Sequence, residues 1–286
     1  MTRLIERSSN MKIALVHNQT PETLSVAAKF KEMCLSEKIE IVTDYPDLVV
    51  SIGGDGTLLS AFHKYEDQLS QVRFVGIHTG HLGFYTDWRT YELPELIESL
   101  KHDKGESVSY PLLDVRVKYA DEEEETRYIA LNEASLKKMD GTMVCDIYVK
   151  DELFETFRGD GLCVSTPTGS TGFSKSLGGA VIHPRTEAIQ LTEMASVNNR
   201  IYRTLSSPMI IAKDEWIVIY PHKEDRLILS VDHLTFKKRS IERLVYRIAQ
   251  ERVHFARYRH THFWDRVEDA FIGVKKNDRN ERTKER

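Results

Sequence analysis

The chain has 286 residues, of which 29% are charged and 41% hydrophobic, and its formal net charge at pH 7 is −4. This length allows one large domain or two modest ones, and we expect two. The mild charge and the scattered basic residues argue against a nucleic-acid-binding protein, and no stretch approaches the ~18 apolar residues of a membrane span. The composition therefore favours small-molecule partners.

The three cysteines indicate a reducing compartment. Cys34, Cys145 and Cys163 are odd in number, far apart and not spaced like metal ligands. The amino end also lacks the apolar core of a signal peptide. We therefore expect a cytoplasmic protein whose thiols pack in the core.

The two ends of the chain are polar. Residues 1–10, "MTRLIERSSN", precede a strand-like "MKIALVHN" and predict a disordered extension. Residues 273–286 contain almost no apolar side chains and predict a loose charged tail.

Residues 11–105 alternate between buried-strand and helix patterns. This βαβαβα rhythm predicts an α/β domain with a parallel sheet. Its predicted strands are Lys12–His17, Leu48–Ile52 and Arg73–Ile77, and its predicted helices are Thr23–Ser36, a helix from Thr57, and Pro94–Leu100.

Residues 106–262 show short strands of alternating polarity instead. They predict a β-rich, mostly antiparallel and sandwich-like domain, interrupted by one helix at Thr186–Ala195. Residues 263–272 repeat Phe263, Val267 and Phe271 at helical spacing, which predicts a helix that packs back on another element.

A glycine-rich turn stands out in "VVSIGGDGTLLSAF", residues 49–62. It joins a strand to a helix, where backbone N–H groups commonly cradle phosphate. It fits neither the Walker pattern nor the dinucleotide pattern, because it has no Gly-Lys-Ser/Thr and its glycines surround Asp55. A carboxylate here requires a bridging cation or a role in accepting a proton; the alternative is that Asp55 only caps the helix at Thr57.

Two further segments carry polar groups suited to a ligand. Residues 157–179, "FRGDGLCVSTPTGSTGFSKSLGG", combine glycine turns with many hydroxyl side chains. They fit a polar ligand, or simply a loop rich in turn-forming residues. Asn132 and Glu133 in "LNEAS" could bind a hydroxylated sugar, although such a pair is often only a surface strand end.

From Met11 to about Ile272, the chain resembles the NAD kinase family. The resemblance rests on the order and separation of three pieces: "GGDGT", "NE", and "GDG" followed by "STPTGST". The phrases "GIHTGHLGFYTDW" and "FRGDGLC" are most similar to its Gram-positive bacterial branch. The resemblance implies the fold shared with diacylglycerol kinases, an α/β amino-terminal and a β-rich carboxy-terminal domain. It also implies ATP-dependent phosphorylation of the 2′-hydroxyl of the adenosine ribose of NAD, with Mg²⁺ or another divalent cation, by a dimer or tetramer.

The resemblance assigns roles around the first turn. Asp55 would act as general base toward the ribose hydroxyl and contact NAD. The backbone of Gly53, Gly54 and Gly56 would approach the ATP phosphates, with Gly56 also near NAD. Phe84 in "GHLGF" matches a ligand-facing aromatic residue, although its sequence context alone predicts a core residue. No residue is assigned as a metal ligand.

In the β-rich domain, Asn132 and Glu133 match the pair that contacts the adenosine portion of NAD. Asp160 would accept a hydrogen bond from the nicotinamide amide, and Arg158 would contact phosphate or a neighbouring subunit. His233 in "SVDH" matches a histidine near the transferred phosphate, while a lone strand histidine is equally well explained as structural. The remaining residues implied to line the nucleoside pockets are Thr168, Thr171, Gly172, Phe173, Ser176, Ala195, Val197 and Tyr202.

Two phrases depart from the common family pattern. "STGFS" has Gly172-Phe173 where Ala-Tyr is common, so stacking by the ring is kept and a hydroxyl contact is lost. Residues 78–81, "HTGH", replace a common "NRG" and leave the contacts of that loop open.

Two other functions remain as alternatives. Lipid kinases of the diacylglycerol or sphingosine type also carry "GGDGT", but "STPTGST" and the Asn132-Glu133 pair favour a nucleotide acceptor. A non-catalytic NAD-binding regulator would keep the site without turnover, and the intact Asp55 argues against it.

Overall fold

The computed structural model describes residues 11–80, 83–222, 226–237, 240–259 and 262–273. The predicted extension at 1–10 lies outside the described residues, as does the predicted tail apart from residue 273. The chain divides into two compact units. The first runs to Val108 and resumes at His254, and the second is Ser109–Val253. Residues 254–262, which the sequence assigns to the β-rich domain, thus belong to the first unit.

The first unit alternates strands and helices up to residue 101. Its strands are β1 (Lys12–His17), β2 (Glu40–Ile41), β3 (Leu48–Ile52), β4 (Arg73–His78) and β5 (Trp88–Arg89). Its helices are α1 (Pro21–Ser36), α2 (Asp55–Lys64) and α3 (Leu93–Lys101). Helix α1 begins two residues earlier than predicted because Thr20 caps it, its side chain accepting from Thr23 N, and Pro21 suits the first helical position.

The second unit is built almost entirely of strands. They are β6 (Ser107–Tyr119), which starts at the end of the first unit, β7 (Glu125–Ala130), β8 (Glu133–Lys138), β9 (Met143–Val149), β10 (Glu152–Gly159), β11 (Gly161–Ser165), β12 (Ala188–Met194), β13 (Met209–Ala212), β14 (Ile217–Pro221), β15 (Leu227–Val231) and β16 (Leu234–Lys237). A short helix, α4 (Phe173–Ser176), follows a 3₁₀ turn at Thr168–Thr171.

Strand β17 (Ile241–Ala256) begins in the second unit and ends in the first, where helix α5 (Phe263–Phe271) follows. In the first unit the parallel order is β2-β1-β3-β4, and Phe255 at the end of β17 pairs with Phe74 of β4. Strand β3 is buried at every position, as expected for a parallel strand covered on both faces.

The second unit is a sandwich of antiparallel strands. One sheet has the order β13-β12-β11-β8-β15-β16, and the other contains β10-β9-β14-β17. Leu136 and Val164 from the first sheet share one apolar core with Ile147 and Tyr246 from the second. The predicted fold class, an α/β domain followed by a β-rich domain, is confirmed.

The predicted helix at Thr186–Ala195 is wrong, because residues Ala188–Met194 form β12. This strand lies between β11 and β13, and its first five residues are all buried. Pairing on both edges and burial on both faces override the helical spacing read from the sequence. Within the described ranges, no helix combines the length and the apolar character needed to cross a bilayer.

Candidate active site

The glycine turn after β3 has a strained backbone that glycine alone accommodates. Gly53 has φ +150°, and a Cβ there would lie 2.2 Å from Oγ1 of Thr57. Its N–H donates to Ile77 O at the end of β4, at 2.9 Å. The turn therefore joins the ends of two neighbouring parallel strands, and Gly53 fixes its geometry.

Asp55 is the first residue of α2 and does not cap it. The N-cap is Gly54, which has no side chain to bond to the helix start. The Asp55 carboxylate accepts two backbone N–H groups from another segment: Phe84 N donates to Oδ2 at 2.9 Å, and Tyr85 N donates to Oδ1 at 3.1 Å. The capping alternative is wrong, and the carboxylate is held in one orientation by the loop of residues 83–87, here called the 83–87 loop.

The approach of the 83–87 loop to Asp55 depends on Gly83. A Cβ on Gly83 would lie 2.1 Å from Asp55 Oδ1, so no larger residue fits without moving the carboxylate. Gly83 N donates to Thr86 Oγ1 at 3.2 Å, and the Tyr85 ring stacks on Phe255 at 5.8 Å. The loop is thus ordered by its own contacts as well as by Asp55.

Phe84 contacts helix α5. Its ring stacks on Phe271 at 5.7 Å between centroids and lies 6.3 Å from Phe263. The ring is only half-buried, so the predicted ligand-facing role stays a prediction, but part of its surface is already covered by the helix.

In the second unit, Asp232 organises the Asn132-Glu133 pair. Its carboxylate accepts three consecutive backbone N–H groups, from Leu131 at 2.9 Å, Asn132 at 2.8 Å and Glu133 at 3.1 Å. Its own N–H donates to Glu133 O at 2.9 Å. Residues 131–133, here called the 131–133 corner, are therefore shaped by a residue in the turn between β15 and β16.

The "STPTGST" segment packs directly on the same corner. Thr166 Oγ1 donates to Leu131 O at 2.7 Å and accepts from Gly169 N at 2.9 Å. A Cβ on Gly169 would lie 2.1 Å from Asn132 O. The structure thus brings together, backbone against backbone, two motifs that are more than thirty positions apart.

Two buried polar atoms at this corner have no hydrogen-bond partner among the described residues: Oε2 of Glu133 and Oγ1 of Thr168. Gly172 leaves room beside the first of them, because a Cβ there would lie 3.4 Å from Glu133 Oε2. Buried polar atoms normally have partners, and an unmade bond is costly. These two atoms are therefore available to bond to a polar ligand.

The other predicted hydroxyls behave differently. Thr171 Oγ1 donates to Thr168 O, and Ser176 Oγ donates to Phe173 O, so both bond to their own turns. The Phe173 ring lies under the Lys137 ammonium, whose Nζ is 4.3 Å from the ring centroid.

Burial, reinforced by the nearby charge of Asp232, raises the pKa of Glu133 from its usual 4.5 to about 8. The folded state then binds this proton more tightly than the unfolded state does, so stability is lost as the pH rises from 4.5 to about 8. At neutral pH the side chain is a carboxylic acid that can donate a hydrogen bond to a ligand.

We expect Glu133→Gln to remove this pH dependence, because an amide of the same shape cannot ionise. Melting temperatures of both proteins, measured calorimetrically between about pH 5 and about pH 9, should converge at the acid end, with the variant more stable at the alkaline end. Glu152→Gln, at an exposed position of β10, is the matched control. Parallel curves for wild type and Glu133→Gln would show that Glu133 ionises normally.

Arg158 and Tyr202 form a second cluster in this unit. The Arg158 guanidinium lies 4.0 Å from the Tyr202 ring centroid, and Arg158 O accepts from Val197 N at 2.7 Å. Ala195 directly follows β12 with φ +46°. The structure thus places two of the predicted dinucleotide-site residues, Val197 and Tyr202, in contact with Arg158.

Asp160 and His233 are exposed, and each lies between two consecutive strands. The structure places His233 next to Asp232, in the turn that holds the 131–133 corner. Asp160 follows β10, two residues after Arg158.

Sequence reasoning missed the residues that hold the predicted ones in place. Asp232 was overlooked beside His233 in "SVDH", and Thr166 and Gly83 were overlooked within quoted motifs. Arg266 on α5 is a fourth, since its guanidinium bonds to Phe84 O. An Asp directly before the matched histidine was the one available signal; nothing in the sequence marks Arg266.

Two family models match the chain in tandem. The model for the ATP-NAD kinase N-terminal domain matches residues 5–105, and the model for the ATP-NAD kinase C-terminal domain matches residues 125–244. The NAD kinase of Lacticaseibacillus paracasei is 57% identical over 265 residues, covering 93% of this chain and 100% of that protein. The NAD kinase of Enterococcus faecalis is 54% identical over 263 residues, covering 92% and 99%.

Solved structures share the fold at low identity. Yeast NADH kinase complexed with NADH superposes with a TM-score of 0.79 at 19% identity, covering 94% of this chain and 89% of that one. An NAD kinase from Archaeoglobus fulgidus in complex with ATP has a TM-score of 0.72 at 20% identity, covering 93% and 100%.

Proposed function

This chain belongs to the ATP-NAD kinase family, and from that premise we propose that Asp55 is the general base of its reaction. As a member of the family, it transfers a phosphoryl group from ATP to NAD and forms NADP. The predicted resemblance to the Gram-positive branch is confirmed by the lactic acid bacterial relatives. The attacking 2′-hydroxyl must lose its proton as it reaches the γ-phosphorus, and a fixed carboxylate is suited to accept it.

One observation carries this role for Asp55. Its two oxygens are held by the amides of Phe84 and Tyr85, so the carboxylate points in one direction without losing its remaining lone pairs. Phosphoryl transfer depends mainly on positioning and charge neutralisation, and a preset base meets the first need. The alternative of a non-catalytic regulator is not favoured, because it gives no reason to hold a carboxylate in this way.

The glycine turn supplies a second part of the proposal. Among the described residues outside their own helix and chain neighbours, no atom lies within 4 Å of where a Cβ of Gly54 or Gly56 would stand, so their backbone is open to a ligand. They lie at the start of α2, a ten-residue helix whose N-terminus carries partial positive charge. We assign Gly53, Gly54 and Gly56 to the ATP phosphates and His233 to the transferred group.

The 131–133 corner suits the adenosine portion of NAD. A protonated Glu133 donates and Asn132 both donates and accepts, which matches ribose hydroxyls and purine nitrogens. Thr168 Oγ1 offers a further unpartnered group. The remaining predicted NAD contacts, from Phe84, Arg158, Asp160, Thr171, Gly172, Phe173, Ser176, Ala195, Val197 and Tyr202, are proposed on the family resemblance.

We propose that the divalent cation enters the site together with ATP. Among the described residues, no group of three or more His, Cys, Asp or Glu side chains could hold a metal ion by itself. Mg²⁺ usually keeps several waters and is often bound through substrate phosphates, so the ATP phosphates at the proposed glycine turn would supply ligands for it. The ion would neutralise phosphate charge, while Asp55 would accept the proton of the ribose hydroxyl.

Self-association and a cytoplasmic location complete the proposal. Ile201 is 81% exposed and Leu205 46% exposed beside Tyr202, and such an apolar surface next to predicted NAD residues suits a subunit contact. All three cysteines are free and buried, as in proteins of a reducing compartment.

The reaction is tested by incubating the protein with NAD, ATP and MgCl₂ and detecting NADP with an NADP-specific dehydrogenase. We expect turnover that disappears with excess EDTA and returns when MgCl₂ is added back, since the cation enters with ATP. Diacylglycerol and sphingosine, supplied as alternative acceptors, should remain unphosphorylated. Undiminished turnover in EDTA would contradict the proposed metal, and a phosphorylated lipid would reopen the lipid kinase alternative.

A further inference from the structure

Helix α5 presents one buried charged side chain to the 83–87 loop. Arg266 is only 11% exposed, and its guanidinium forms an ion pair with Asp87, which is 23% exposed. It also donates to Phe84 O at 2.5 Å. One side chain thus contacts the 83–87 loop near its start, at Phe84, and at its end, at Asp87.

Phe84 is therefore held from both sides of its backbone. Its N–H donates to Asp55 Oδ2, and its C=O accepts from Arg266. Burial lowers the pKa of the Arg266 guanidinium, while the charge of Asp55 acts in the opposite direction, so the two charged groups interact. A continuous chain of polar contacts runs from α5 through one residue to the carboxylate of Asp55.

This arrangement is an unusual way to attach a helix. No residue of α5 is fully buried, and its apolar contacts to the loop are made by Phe263 and Phe271. Burying a guanidinium carries a desolvation cost that apolar packing avoids, so an ion pair is poor evidence for a purely stabilising role. The fork of an arginine does, however, fix the direction of the groups that it bonds to.

We propose that Arg266 is a positioning residue for phosphoryl transfer, which orients the 83–87 loop so that the Phe84 and Tyr85 amides hold the Asp55 carboxylate. This inference rests on the proposed role of Asp55. It assigns a function to α5 that neither motif nor spacing indicates, namely support of the reacting end of α2.

The test compares two buried arginines of the same unit. Arg73, at the start of β4, pairs with Asp103, and the two side chains are 14% and 12% exposed. It stands at the opposite end of β4 from the 83–87 loop. Arg266→Met should lower kcat roughly 10- to 100-fold, since small misplacements at a reacting centre have effects of this order, with little change in KM for NAD. Arg73→Met should lower the melting temperature and leave kcat within about twofold.

Arg266→Lys keeps the positive charge but lacks the planar guanidinium that can donate to two acceptors at once. We expect it to recover only part of the kcat lost in Arg266→Met. Asp269→Asn, an exposed change on the same helix, should behave as wild type. Wild-type kcat in Arg266→Met, with only its melting temperature lowered, would overturn the proposal and make Arg266 an ordinary structural ion pair.

A double-mutant cycle separates this proposal from the role of Asp55. If Arg266 acts through Asp55, then Asp55→Asn combined with Arg266→Met should be no slower than Asp55→Asn alone. Rate losses that multiply would contradict positioning through Asp55. Normal turnover of Asp55→Asn would instead contradict the general base, whatever Arg266 does.

Discussion

We expect Asp55→Asn to lower kcat for NADP formation by at least ~10², because the amide cannot accept the proton of the attacking ribose hydroxyl. NAD binding, followed by calorimetry, should change by less than about tenfold, since the side chain keeps its size. The measurement is steady-state turnover at saturating NAD and ATP.

The same substitution has a structural effect that must be measured separately. Both Asp55 oxygens accept N–H groups, so an amide turns its NH₂ toward one of two donors. We expect a loss of about 1–3 kcal/mol in the free energy of unfolding, with kcat still measurable on the folded protein. Most of the wild-type turnover in a folded variant would rule out a general base, and a lost response to magnesium alone would place Asp55 at the metal.

Asp232→Ala should have the largest effect on stability. It leaves the N–H groups of Leu131, Asn132 and Glu133 without their acceptor, and each such loss costs about 1–3 kcal/mol. We expect urea unfolding to show a loss of about 3 kcal/mol or more. NAD affinity should fall at least tenfold, about 1.4 kcal/mol, because the 131–133 corner loses its shape.

Two further variants separate the carboxylate from the turn. Asp232 has φ +51°, a conformation that asparagine tolerates better than alanine, so Asp232→Asn should keep the turn. The variant has one side-chain oxygen acceptor in place of two. We expect it to recover only part of the stability. Asp151→Ala, in an exposed hairpin turn, is the control and should cost little. Full recovery by asparagine would assign the effect to backbone conformation.

Three strands of the first unit, β1, β3 and β4, were predictable because their sequences are rich in apolar and β-branched residues, whereas the two-residue strands β2 and β5 were not predicted. β1 and β3 have the predicted bounds, since runs such as Leu48–Ile52 are mostly apolar and lie between polar turns. Strand β12 was not predictable from sequence, because "TEAIQLTEMA" has helical spacing. This segment forms a strand because it pairs with its neighbours β11 and β13. The local hydrophobic pattern predicts an element correctly where burial decides its structure. It fails where pairing with neighbouring strands decides the structure.

The candidate site divides in the same way. Asp55 was predictable because its glycine turn is rare and continuous in sequence. Asp232 and Arg266 were not, because their partners lie far away along the chain: Leu131 is 101 positions from Asp232, and Phe84 is 182 positions from Arg266. The residue proposed to act on substrate, Asp55, lies in a recognisable sequence motif. The residues that support the site, Asp232 and Arg266, are recognisable only from their contacts in the structure.

The discontinuity of the first unit has a consequence for the nascent chain. A ribosome makes the Asp55 turn early, then all of Ser109–Val253, and only afterwards Phe255 and Arg266, which contact the 83–87 loop. Domains generally fold in the order of their synthesis, so the second unit can form while the first is still incomplete. On the proposed roles of Asp55 and Arg266, competence for phosphoryl transfer waits until α5 has been made, and a chain that stalls before α5 lacks the contact between Arg266 and Phe84.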